Sequence, residues 1–309
     1  HDDSKYGPMS FRHFLLGAIG IFIYVGVEVG IPNVLQKWLN VELENIESIE
    51  TAQSGVITEV CVKKGYETEA GDVIAKMEVT NIIAAEEGEE PTTEVTIVEF
   101  TAESKAIVTE IPEDIKVGAE INVEADQSVV IAKLDTAFAG PIAGTVAATY
   151  WLLMLVGRLV GAALGAKVSA KAMLTVVSGV GLALVLGAMF LNPETVVNLP
   201  VFQGTAGFGL ASVPVNAALL VLCGLCTSVM WGGIFNLAVE GLGKYTEKGA
   251  GIFMAMVCGG GILPFVQNLV VDLTSSYLVS YWVIVAGLAF LLYYALVGSK
   301  NVNKNIPVE

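Results

Sequence analysis

Several side chains that hydrocarbon rejects sit inside otherwise apolar runs of this sequence, and they are where its chemistry would be done. Glu28 stands in the run GAIGIFIYVGVEVGIP, on the helical face it shares with Gly17, Ile21 and Tyr24. Trp231, Asn236 and Glu240 interrupt the run that begins at Met230. Gln267 and Asn268 interrupt the next, which also carries Gly259, Gly260, Gly261 and Pro264, residues that loosen a helix. A carboxylate at the bilayer centre costs about 2.5–3.5 kcal/mol even on a lenient insertion scale. Polar groups at membrane depth persist only against protein or a watery cavity. The pattern therefore points to the wall of a solute route, with Glu28 a group able to carry a proton. The structural alternative is helices packed through glycines, with Glu28 hydrogen-bonded to its neighbours.

Other chemistries find little footing. There is no nucleophile–base pair, metal-ligand spacing or phosphate loop, so an enzyme is not expected. His1 and His13 both lie near the start, and no metal site or cofactor is expected. Cys223, Cys226 and Cys258 lie in apolar runs, where a free thiol behaves as a small hydrophobe. No basic cluster suggests nucleic acid.

The elements that must position these groups follow from composition. The 309 residues are 54% hydrophobic, and mean hydropathy is +0.68. The net charge of −15 is uneven: Val41 to Asp135 holds 23 acidic and 6 basic residues. Outside that stretch, six apolar spans fall at about His13–Leu39, Ile142–Leu164, Ala172–Leu191, Val215–Leu242, Ala250–Leu273 and Tyr277–Val297. Gly157, Gly161 and Gly165 allow the second span a close neighbour. The segment Asn192 to Pro214 reads as a loop without Lys or Arg. Lys5, Arg12, Lys167, Lys171, Lys244, Lys248, Lys300 and Lys304 fall at alternate span ends, which places both termini in the cytoplasm. The expected division is residues 1–40 (N-terminal segment and first span), 41–136 (an acidic domain outside), 137–298 (five spans) and 299–309 (a cytoplasmic tail). Because the chain starts at His1 without a signal peptide, it is expected to begin inside a longer product.

The acidic stretch alternates Val, Ile and Thr with Gly and acidic turns, a β pattern. It contains a repeat: SGVITEVCVKKGYETEAGDVIAKME from Ser54, and SKAIVTEIPEDIKVGAEINVEADQSVVIAKLD from Ser104. This duplicated unit resembles the biotinyl/lipoyl-like barrel-sandwich hybrid. Where that resemblance implies a modified lysine, the chain has Asn81, so neither biotin nor lipoate is expected; Lys76 is nearby but within the strand pattern. Glu86, Glu87, Glu89 and Glu90 read as a solvated loop joining the two copies.

The helical part reads as an α-helical membrane protein: six transmembrane helices with an inserted all-β domain. Its motifs YVGVEVGIP (Tyr24–Pro32), YWLLMLVGRLVGAALGAK (Tyr150–Lys167), IFNLAVEGLGKYTEKGAG (from Ile234) and MVCGGGILP (to Pro264) carry a further resemblance. They are similar to the C-terminal half of a major facilitator superfamily transporter, in the fucose–galactose–glucose/proton symporter family. The family's Gly-Ser before the glycine triplet is here Gly249-Ala250-Gly251, and a Pro before Ile-Phe is replaced by Gly232-Gly233. The resemblance implies helices seven to twelve of a carrier whose N-terminal six-helix half is missing from this chain. It also implies a sugar substrate at the midplane, a co-transported proton or sodium ion, and a lipid bilayer around it. Tyr24, Glu28, Asn236, Gln267 and Asn268 would bond sugar hydroxyls, with Trp231 and Phe235 stacking. Arg158 and Glu240 are expected to form an ion pair that breaks during gating. The competing reading makes the β domain the functional part, binding a partner protein or a glycan, with the helices as its anchor.

Overall fold

The structure is a computed structural model, and it describes residues 6–309. Lys5 lies outside the described residues. The chain divides into two compact units, one formed by Val41–Gly140, the other by the chain up to Asn40 together with Pro141–Glu309.

The first unit is built from eight strands: β1 (Ile46–Thr51), β2 (Gly55–Val60), β3 (Glu67–Thr68), β4 (Val73–Ile83), β5 (Thr92–Thr101), β6 (Ala106–Glu110), β7 (Glu120–Ile121) and β8 (Val129–Asp135). They make two four-stranded antiparallel sheets, ordered β1-β8-β6-β3 and β5-β4-β2-β7. The sequence repeat explains the orders: β2, β3 and β4 belong to one copy, β6, β7 and β8 to the other. The copies interlock. Each lends its short strand to the other's sheet, β3 pairing with β6 through Thr68↔Ala106 and β7 with β2 through Gly55↔Ile121. Alternate residues, such as Met77 and Val79 in β4 and Ala132 and Leu134 in β8, point inward and make one apolar core with Ile57; Ile131 joins them where the β1–β8 register shifts. Lys76 is held on the β4 surface between Glu59 (3.4 Å) and Glu99 (3.9 Å). Asn81 lies in the ladder opposite Glu94, because β4 and β5 run on as a long hairpin to residues 84–91.

The second unit contains helices α1 (Arg12–Leu43), α2 (Ala139–Leu164), α3 (Ala170–Phe190), α4 (Val215–Thr227), α5 (Met230–Val239), α6 (Thr246–Ala255), α7 (Gly259–Thr274) and α8 (Tyr281–Tyr293). Joined across their breaks, these give six segments long and apolar enough to cross a membrane. The fourth is broken between α4 and α5. The fifth is broken by the 3-10 turn Met256–Cys258, just ahead of the glycine triplet, which lies inside α7.

The segment read as a loop, Asn192 to Pro214, is largely a β-hairpin. Strands β9 (Val196–Phe202) and β10 (Phe208–Pro214) pair in register from Phe208↔Phe202 to Pro214↔Val196. Gly204 and Gly207, with φ of 66° and 79°, make the turn that a side chain would oppose. The alternation of buried Val201, Ala211 and Val213 with exposed neighbours is the strand signal. A proline in each strand obscures it.

Glycines let α1 and α7 cross at backbone contact. A Cβ at Gly259 would fall on the Phe22 carbonyl, one at Gly26 on the Leu263 side chain, and one at Gly260 would lie 2.8 Å from Val25 Cγ1. Gly157 and Gly161 play this part for α2 against Ser228 and Val229, at the break between α4 and α5.

Candidate functional site

Glu28 is at the middle of the site, and Pro32 prepares its backbone. Pro32 lies inside α1 and has no N–H to give the carbonyl four residues earlier, which is that of Glu28. The Tyr150 hydroxyl supplies the missing bond, donating to Glu28 O at 3.0 Å, and also meets Thr227 Oγ1 at 3.0 Å. Three helices are thereby tied at one level. Replacing Tyr150 with Phe leaves that buried carbonyl orphaned and should cost about 1–3 kcal/mol. The unfolding midpoint in detergent would show it, and Pro32→Ala added to Tyr150→Phe should recover part of the loss.

The Glu28 side chain is 15% exposed and meets Arg158, its partner across 130 residues of sequence, with Oε1 3.5 Å from Nη2. The Tyr24 hydroxyl is fully buried and lies close to both charged groups, yet meets neither with hydrogen-bond geometry. A buried donor beside a loosely held ion pair is suited to an incoming hydroxyl or proton.

Arg158 also faces a cavity of about 470 Å³, which Gly161, Ser228, Trp231 and Asn236 help to line. Trp231 and Phe235 stack with ring centroids 5.3 Å apart, and Phe253 packs edge-on against Phe235. Asn236 and Ala170 also line a second cavity, of about 790 Å³, with Glu240, Lys171, Lys300 and Lys304 around it. The two share a wall, so polar lining runs from Arg158 to the end of the bundle where the chain's last lysines lie.

The structure brings Tyr24, Glu28 and Arg158 together, and sets Arg158, Trp231 and Asn236 around one cavity. It does not bring Gln267 and Asn268 into that group. Gln267 is fully buried against Gly30, with Nε2 3.4 Å from Ser280 Oγ and Oε1 unpartnered. Asn268 Oδ1 accepts from Lys37 Nζ at 2.9 Å, and its Nδ2 donates to Pro264 O and Asn33 Oδ1. Nor is the ion pair expected between Arg158 and Glu240 formed. Arg158 is engaged by Glu28 in mid-helix, while Glu240 closes the C-terminal end of α5, where its carbonyl accepts from His13 Nε2 at 2.7 Å. Reading the sequence missed Tyr150 and Thr227. The signal was Pro32: a proline inside a helix frees one known carbonyl, and a buried hydroxyl from another helix is the natural donor to it.

With this geometry the chain is similar to one solved structure in particular, that of FucP, a major facilitator superfamily transporter crystallised in the outward conformation. The match has a TM-score of 0.53 at 16% identity, over 94% of this chain and 43% of that one. It shows the fold: the chain is folded like part of that transporter, and its helices include six segments long and apolar enough to cross a membrane. Curated relatives match more locally. Over 78 residues, 25% of this chain and 19% of the relative, it is 37% identical to a glucose/galactose transporter of Brucella abortus (biovar 1, strain 9-941). Over 86 residues, 26% of this chain and 21% of the relative, it is 33% identical to a putative glucose/galactose transporter of Helicobacter pylori (strain J99). The chain thus spans about a fifth of the length of the curated relatives it matches. No protein-family profile matches it.

Proposed function

We propose that this chain belongs to a secondary active transporter of a hexose or deoxyhexose, of the glucose, galactose or fucose kind, and supplies its C-terminal six helices. One observation carries the reading: a charged pair, Glu28 and Arg158, sits within apolar helices beside the unpartnered Tyr24 hydroxyl, and its arginine opens onto a cavity. Charges are kept at such depth where a solute or ion passes. The names of the two bacterial relatives point to the solute. Glu28 exchanges a proton and bonds sugar hydroxyls, Asn236 bonds a further hydroxyl, and the Trp231–Phe235 stack takes the apolar face of the ring. The N-terminal half completes the site, and the two halves rock about it. Both termini lie in the cytoplasm of a cell bounded by this inner membrane, and the β unit, a barrel-sandwich hybrid of biotinyl/lipoyl-like kind, lies outside.

Uptake of labelled hexose by the full-length product in proteoliposomes tests this. A proton gradient should drive accumulation and a protonophore should abolish it. Accumulation that needs sodium instead would overturn the proton coupling, and no uptake of any hexose would overturn the function.

A second reading rests on the β4–β5 hairpin. Val95 and Ile97 on the edge strand, with Ile82 across from it, form an exposed apolar stripe on one face. On this reading the β unit binds a partner protein or a glycan. Deleting the unit would then remove partner binding and leave transport intact.

A further inference from the structure

The β9–β10 hairpin turns back along the bundle. Its base is pinned to the start of α4, where Val215 N donates to Thr195 O at 2.8 Å. Near its tip, Phe202 N donates to Thr149 Oγ1 at 2.9 Å. Thr149 lies ten residues into α2 from Ala139, which is about 15 Å along the helix axis. It is also the neighbour of Tyr150, whose hydroxyl reaches Glu28 and Thr227. A Cβ at Gly224, well inside α4, would press on the Tyr150 carbonyl. The tip thus reaches the level of the Glu28 group instead of standing beyond the helix ends.

Two features decide what the tip faces. The sheet has only two strands, so each has an outer edge with no strand partner among the described residues. Open strand edges do not survive against lipid at that depth; they are tolerated against protein or in a water-filled cavity. The turn is polar, with Gln203 and Thr205 exposed and Gln203 N closing onto Gly207 O at 2.8 Å. Beside it, Phe208 is 72% exposed. An exposed ring next to amide and hydroxyl groups matches a ligand with one CH face and a rim of hydroxyls.

We propose that this hairpin is a re-entrant element lining the solute route, with Gln203 and Phe208 contacting the sugar at the depth of Tyr150. The proposal rests on the transport reading for its ligand, but the depth of the hairpin can be measured without any sugar.

The test uses the full-length product in proteoliposomes, with the exposed Cys61 and Cys258 changed to Ser. Single variants Gln203→Cys, Asn236→Cys and Glu194→Cys are labelled with a charged, membrane-impermeant thiosulfonate, with and without glucose. A nitroxide at position 203 reports depth through its collisions with oxygen and with a water-soluble nickel chelate. The expected result is a nitroxide below the headgroups that nickel still reaches, and labelling at 203 slowed at least threefold by glucose, with Glu194→Cys unaffected. A nitroxide reached by oxygen alone would put the hairpin in lipid and overturn the proposal. So would labelling at 203 as fast as at 194 and insensitive to glucose. Protection at Asn236→Cys but not at Gln203→Cys overturns the hairpin's role and leaves the transport reading standing. Protection at neither position overturns both.

Discussion

Gly259→Val should leave little folded protein to purify. At this position α7 meets α1 so closely that a Cβ would coincide with the Phe22 carbonyl. Backbone cannot rotate away as a side chain can, so one of the two helices must move. The same crossing holds Gly26 against Leu263 and Gly260 against Val25, so movement at one contact disturbs all three. Overpacking a rigid site costs about 1–3 kcal/mol and sometimes more. Displaced backbone belongs at or above the top of that range, a large part of the roughly 5–15 kcal/mol that holds a typical domain together. Fluorescence-detected size-exclusion of the detergent-solubilised protein should show loss of the monodisperse peak. Gly261→Val is the control, since a Cβ there meets nothing within 4 Å. If both variants behave alike, the crossing is not as close as described.

On the transport reading proposed above, Arg158→Leu should reduce hexose uptake by about a hundredfold or more and also destabilise the protein. Removing one partner of a buried ion pair costs about 3–5 kcal/mol, because the other charge is left without compensation. Arg158 is 57% exposed, so water screens the pair and the stability loss should be smaller, about 1–2 kcal/mol. The loss of uptake should be the larger effect, since the same guanidinium lines the cavity. Adding Glu28→Gln separates the two. The double variant should regain the unfolding midpoint, because no unpaired carboxylate remains, and should still fail to accumulate sugar. Recovery of both would make the pair structural only.

The sequence made some of this legible and hid the rest for identifiable reasons. Period-two alternation and a repeated motif are local signals, so the strands of the acidic stretch could be read directly. Their interlocking could not, because β3 and β6 meet only through tertiary pairing. Glu28 stood out because hydrocarbon rejects it. Its partner did not, since a sequence carries no rotational register between α1 and α2, and Glu240 was as plausible for Arg158 by charge alone. Gln267 and Asn268 looked like a pair, but neighbours on a helix point about 100° apart. One turns toward Gly30 and Ser280, the other toward Lys37. The β9–β10 hairpin reads as a loop in the sequence because Pro200 and Pro214 weaken the strand pattern; here tertiary contact outweighs propensity.

The exchange of β3 and β7 between the two copies of the β unit makes each copy depend on the other. A single copy standing alone would leave β6-like and β2-like edges vacant, and an identical second molecule would fill them by two-fold symmetry. The unit thus has the form of a homodimer whose two subunits are joined by the acidic linker at residues 84–91. Severing that linker should yield two fragments that stay associated, neither of which holds its shape when separated.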